Sequence, residues 1–121
     1  SHNVKLLDYK DNIYFYMKNS KAFILSSLWE EIGFVIVEAA LCNTLIISSN
    51  CKNGPKEFLL EGKAGLIFEN NTENQLLYKL KEFNTLEQKD INVKKLLAKK
   101  NAKQFTMFRH YLSLSNIIEQ I

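Results

Sequence analysis

Apolar residues fall along this chain in two kinds of run. Ala22-Phe23-Ile24-Leu25 and Leu45-Ile46-Ile47 are continuous and of strand length, the pattern of strands covered on both faces in a parallel sheet. Val4 to Tyr9 alternates as a short strand, and Gly62 and Gly65 bracket a turn into a further one at Leu66-Ile67-Phe68. Between the strands the pattern turns helical. Asp11 offers an N-cap for a helix through Ile13, Tyr14, Tyr16 and Met17, an apolar helix opens near Gly33, and Pro55 starts a short one at its tolerated first position. Thr72 with Gln75 forms a capping box for a helix from about Glu73 to Phe83. Ile91 to Gln104 and Tyr111 to Ile121 also read as helical, with a break expected near Phe105 to Arg109. Strand and helix alternate, so the fold class is α/β, a partial Rossmann-like parallel sheet with right-handed crossovers and a helical C-terminal tail. The chain is read as a single partial domain, with the sheet portion over 3–83 and C-terminal helices over 85–121.

Composition narrows this little. With 121 residues, 46% hydrophobic and 24% charged, the chain suits one globular domain and excludes a disordered one. A net charge of +3 does not argue for nucleic acid, and none is expected as a partner. Cys42 and Cys51 have no metal spacing and no signal-peptide pattern opens the chain, so the expected setting is reducing and cytoplasmic. No apolar run is long enough to span a bilayer. Ser1-His2 runs straight into a strand pattern, which reads as a cut point in a longer enzyme.

Candidate chemistry concentrates between Ser26 and Ala40. In open α/β sheets ligands bind beyond the carboxyl ends of strands, at the first turns of the following helices. A helix opening near Gly33 would aim the N–H groups of Gly33, Phe34 and Val35 at an anion such as a diphosphate. Glu38 follows among Val35, Ile36, Val37, Ala39 and Ala40, where a carboxylate must be paired, hydrogen-bonded or used. Glu30 lies in the loop before the helix. As a structural alternative, one glutamate caps the helix and the other makes a surface ion pair.

The segment Ser26-Ser27-Leu28-Trp29-Glu30-Glu31-Ile32-Gly33-Phe34-Val35-Ile36-Val37-Glu38-Ala39-Ala40 resembles the donor-binding signature of retaining GT-B glycosyltransferases of family 4, the glycosyl transferases group 1. In that signature two glutamates lie seven residues apart, which selects Glu30 over Glu31; Glu31 stands where the family usually has glycine. The likeness continues through Ala39 to Ile47, with Asn43 for a glycine and Leu45 for a proline, then through Asn53-Gly54-Pro55-Lys56-Glu57 and Glu61-Gly62-Lys63-Ala64-Gly65-Leu66. Asn tolerates the left-handed conformation that a helix C-cap needs, so the turn at Asn43 is expected to survive.

The resemblance implies the second half of a GT-B C-terminal domain, and with it a retaining, metal-independent hexosyltransferase acting in synthesis of a bacterial surface glycan, a lipopolysaccharide or capsule. It implies no cofactor. A UDP- or GDP-linked sugar would be the donor, and a saccharide or lipid-linked molecule the acceptor, held by an N-terminal domain. Glu30 would be the catalytic residue that orients the donor sugar; Gly33, Phe34 and Val35 would meet the sugar and phosphates, and Glu38 would anchor the ribose. The family's diphosphate-gripping residues lie upstream of this stretch, so the chain alone is expected to be inactive. Glycogen synthase and sucrose synthase relatives share the glutamate pattern. A non-catalytic α/β interaction or regulatory module with a vestigial nucleotide pocket is the alternative from another class.

Other residues read more plainly. Trp29 suits core or interface before donor contact, and Glu57 near a helix start answers the helix dipole as well as a nucleotide. Lys94, Lys95, Lys99, Lys100 and Lys103 read first as a solvated face and second as a peripheral contact with an acidic membrane, at whose inner face the protein would then sit. Because the family places two further strands in the middle of this sheet, the edge at Ala22 to Leu25 is expected either to re-pair with Val4 to Leu7 or to borrow a strand in an exchanged dimer.

Overall fold

The computed structural model describes residues 3–6, 13–26, 34–50, 55–69 and 73–120. Three parallel strands, β1 (Ala22–Leu25), β2 (Leu45–Ser49) and β3 (Leu66–Phe68), lie side by side in that order. Ile24 stands opposite Ile47, and Ile47 opposite Leu66. The central strand is buried along its whole length, as its unbroken apolar run predicts, whereas β1 at the edge is only partly covered.

Pleating sends alternate side chains of β2 to opposite faces. Ile46 joins Met17 of α1 (Ile13–Lys18), Ile36, Val37, Ala39 and Ala40 of α2 (Phe34–Leu41), Phe58 of α3 (Pro55–Phe58), and Ala98 and Ala102 of α5 (Gln88–Gln120) in one core. Leu45 and Ile47 pack with Leu66 and Phe68 on the other face, under Leu76, Leu80 and Phe83 of α4 (Glu73–Thr85). Helix α2 is apolar on nearly every side because α1, α5 and β2 all pack against it.

Asn43 ends α2 in the left-handed region, at φ 61°. Its N–H donates to the Ala40 carbonyl at 3.0 Å, and the Thr44 N–H donates to that of Ala39 at 3.2 Å. Those two bonds are a Schellman cap, formed here on asparagine as expected. The Thr44 hydroxyl then donates to the Met17 carbonyl, tying the end of α1 to the entry of β2.

Two expectations are corrected. Val4, Lys5 and Leu6 are not a strand: Val4 is 68% and Leu6 94% exposed, and neither belongs to the sheet, so they do not re-pair beside Phe23 to Leu25. Three exposed residues bury too little apolar surface to order as β, even with β1 at the sheet edge. The rest of that segment, 7–10, lies outside the described residues. Helix α5 also runs unbroken through Phe105 to Arg109. Its sequence contains neither glycine nor proline, and the Thr106 hydroxyl, bonded back to Ala102 and Lys103 carbonyls at 3.2 and 2.9 Å, stays within the helical pattern.

Candidate functional site

Parallel strands put their carboxyl ends on one side of the sheet, and α2 begins on that side after the loop that follows β1. Glu30 and Gly33, with Trp29 and the rest of 27–33, lie outside the described residues. Phe34 is the first residue of α2, and Val35 behind it is half-buried. The first N–H groups of any helix have no carbonyl partner within it, and Phe34 and Val35 hold those positions in α2.

Glu38 sits four residues into α2, about 6 Å along the axis from Phe34. It is half-buried between the fully buried Val37 and Ala39. Helix α1 supplies what sequence reasoning missed: the Tyr14 hydroxyl hydrogen-bonds the Glu38 carboxylate. The charge of Glu38 is the main cause that raises the Tyr14 pKa above 10.0, followed by burial, that hydrogen bond and the nearby Cys42. The only hint in the sequence was the aromatic run Tyr14-Phe15-Tyr16 at a helix start; nothing local marked which ring would reach α2.

A second arrangement shapes the segment from α3 to β3. After α3 the chain passes through Leu60, Glu61 and Gly62 with φ of 54°, 56° and 100°, a left-handed turn closed by a bond from the Ala64 N–H to the Leu59 carbonyl at 2.9 Å. Lys94 of α5 donates to the carbonyls of Gly62 at 2.6 Å and Gly65 at 3.3 Å, and Asn101 donates to that of Phe58 at 2.7 Å. Burial lowers the Lys94 pKa from its ordinary 10.5, with Lys79 adding to the effect and Glu82 and Asp90 opposing it. Lys94 therefore leaves the expected lysine face and acts as a clamp. Gly65 is required by contact: a Cβ there would stand 2.7 Å from the Ile46 carbonyl oxygen. Lys56 and Glu57 on α3 are exposed, and 51–54 before them lie outside the described residues. Among the described residues no group of three or more His, Cys, Asp or Glu could hold a metal ion, and no helix is long and apolar enough to cross a membrane.

Comparison with known proteins agrees with this fold. Residues 1–105 match the family described as glycosyl transferases group 1. An uncharacterized glycosyltransferase of Methanocaldococcus jannaschii is 41% identical over 58 residues, 48% of this chain and 14% of the relative. The Campylobacter jejuni N-acetylgalactosamine-N,N'-diacetylbacillosaminyl-diphospho-undecaprenol 4-alpha-N-acetylgalactosaminyltransferase is 30% identical over 78 residues, 64% of this chain and 21% of the relative. A solved glycosyltransferase from Rickettsia africae superposes with a TM-score of 0.72 at 22% identity, over 87% of this chain and 29% of that one. The match thus spans less than a third of each of these proteins.

Proposed function

The chain belongs to the glycosyl transferases group 1 family, and from that premise we propose that it forms the nucleotide-sugar-binding part of a retaining, metal-independent hexosyltransferase of family 4. The observation that carries the reading is Glu38: a half-buried carboxylate about one turn inside an apolar helix that begins at the carboxyl side of a parallel sheet. A ribose diol of a UDP- or GDP-sugar satisfies such a group, and the amides at Phe34 and Val35 suit the diphosphate. Glu30 orients the sugar and Gly33 lets the donor approach the backbone. In the transfer, the bond from the anomeric carbon to the phosphate oxygen breaks, an acceptor hydroxyl bonds to the same face of that carbon, and its proton passes to the departing phosphate. Amides at the helix start stabilise the charge that develops there.

The Campylobacter relative is named for a diphospho-undecaprenol-linked substrate. A lipid-linked saccharide is accordingly the proposed acceptor, in synthesis of a bacterial surface glycan at the cytoplasmic face of the membrane. No cofactor takes part. Among the described residues β1 is paired on one side only, which suits an exchanged dimer in which a strand from a second copy pairs with Ala22–Leu25. Sedimentation equilibrium should show a concentration-dependent dimer; a monomer throughout the micromolar range would remove that part of the proposal.

Ligand-observed NMR with UDP- and GDP-sugars tests the donor site on the chain and on Glu38→Ala. Saturation transfer to the ribose protons is expected from the unsubstituted chain and should fall at least tenfold in the variant. Equal signals from both, with folding intact by circular dichroism, would leave the vestigial module in front. The Tyr14 hydroxyl on Glu38 is the observation that favours that second reading, since it gives the carboxylate a partner within the protein.

A further inference from the structure

Helix α5 presents two unlike faces. Ala98 and Ala102 are buried against α2 and β2, and Lys94 and Asn101 turn inward to the clamp. At 100° per residue the opposite side carries Leu96, Lys99, Lys100, Lys103, Gln104 and Met107, which line a shallow groove of about 340 Å³. Leu96 is 66% and Met107 71% exposed. The three lysines form no ion pair with a described residue, and the sequence holds no acidic residue between Asp90 and Glu119. A merely solvated face would need no large apolar residues one to three turns apart. Here they alternate with basic side chains whose aliphatic stems can lie along an apolar phase while their ammonium groups stay in water.

We propose that this outward stripe of α5 seats on an anionic lipid bilayer, with Leu96 and Met107 entering the headgroup boundary and Lys99, Lys100 and Lys103 meeting lipid phosphates. Charge complementarity selects the occupant: three lysines without an acidic residue nearby in sequence, set among Leu96 and Met107, fit a plane of negative headgroups above hydrocarbon, the chemistry of interfacial helices. The surface lies on α5 and does not involve Glu38 or the start of α2, so the inference stands apart from the donor reading.

Co-sedimentation of the chain with phosphatidylcholine vesicles, with and without phosphatidylglycerol, tests it. Binding is expected only with the anionic lipid, and it should fall as salt rises from about 0.1 M to about 1 M and the screening length shrinks from ~10 to ~3 Å. Each lysine near the surface is worth roughly fivefold in partitioning, so Lys99→Gln/Lys100→Gln/Lys103→Gln should weaken binding on the order of 100-fold. Leu96→Gln/Met107→Gln should weaken it as well, while Lys18→Gln/Lys21→Gln at the far end of α1 should not. Glu38→Ala should bind vesicles normally, which separates this result from any failure of the donor site. The proposal is overturned if the chain ignores anionic vesicles, if the α5 variants sediment like the parent, or if the α1 control loses binding equally. Equal affinity for duplex DNA or heparin would assign the lysines to polyanions in general and overturn it too.

Discussion

Replacing Lys94 by Met tests how the site side of the sheet is braced. Its ammonium is the one described group that reaches both the Gly62 and the Gly65 carbonyls, and it joins α5 to a turn whose residues Leu60 and Glu61 sit in the left-handed region. A hydrogen bond to a charged group contributes about 1.5–3 kcal/mol. At 2.6 Å the bond to Gly62 belongs in that range, and the one at 3.3 Å to Gly65 adds a fraction of it. Two effects oppose the loss. Methionine sheds the desolvation cost that lowers the Lys94 pKa, and a released turn can relax left-handed strain of about 1–2 kcal/mol per residue. The net expectation is a destabilisation of about 2 kcal/mol, or a fall in Tm of roughly 6–10 °C for a domain of this size.

Urea denaturation followed by circular dichroism measures it, with Lys100→Met as the exposed control. A Lys94→Met loss below about 0.5 kcal/mol, the range of ordinary surface substitutions, would refute the clamp. The pH dependence has a definite sign. Because the folded pKa lies below the unfolded 10.5, the folded state gives up its proton first as pH rises, and the unfolded state binds more protons in that window. Stability of the parent relative to Lys94→Met should therefore increase as pH approaches 10.5; a gap that narrows there would contradict burial as the dominant cause.

Two further expectations follow from single contacts. Gly65→Ala should cost about 1–3 kcal/mol, because the new methyl meets the Ile46 carbonyl oxygen of the central strand at 2.7 Å and neither backbone can withdraw freely; a denaturation midpoint equal to the parent's would contradict it. In a spectrophotometric titration of tyrosinate, the component lost on Tyr14→Phe should ionise above 10.0 in the parent and move down in Glu38→Gln, where the neighbouring charge is gone; an unchanged titration would separate the two side chains.

Legibility in the sequence followed the range of the interaction. Leu45–Ser49 was readable because burial on both faces leaves an unbroken apolar run, Ala22–Leu25 and Leu66–Phe68 because they carry similar runs although β1 is only partly covered, and the cap at Asn43 because a left-handed helix end is a local preference. Val4 to Leu6 misled because alternation records a face and says nothing about a partner. Phe105 to Arg109 misled because apolar periodicity lapses there, while helix continuity depends on backbone bonding that only glycine or proline would have interrupted. Lys94 was grouped with its lysine neighbours since its acceptors, Gly62 and Gly65, are remote in sequence. Of the candidate site, the sequence pointed to Glu38 as a carboxylate in need of a partner, and left that partner's identity to the packing of α1 on α2.

That partner bears on both readings of the site. An ionised carboxylate has about four lone-pair positions, of which one phenol takes one. A carboxylate on an apolar helix cannot be left bare where it is buried, since the cost runs to several kcal/mol. Tyr14 offsets part of that cost, yet it does so from a half-exposed position, and Glu38 itself stays half-buried. A purely structural pair would be expected to close over its hydrogen bond, since excluding water strengthens it. Both side chains instead keep part of their surface in solvent, which on the proposed donor reading leaves the carboxylate accessible to a diol beside the phenol. On the proposed donor reading Tyr14 would steady Glu38, so the contact that favours the vestigial pocket is equally compatible with a donor site.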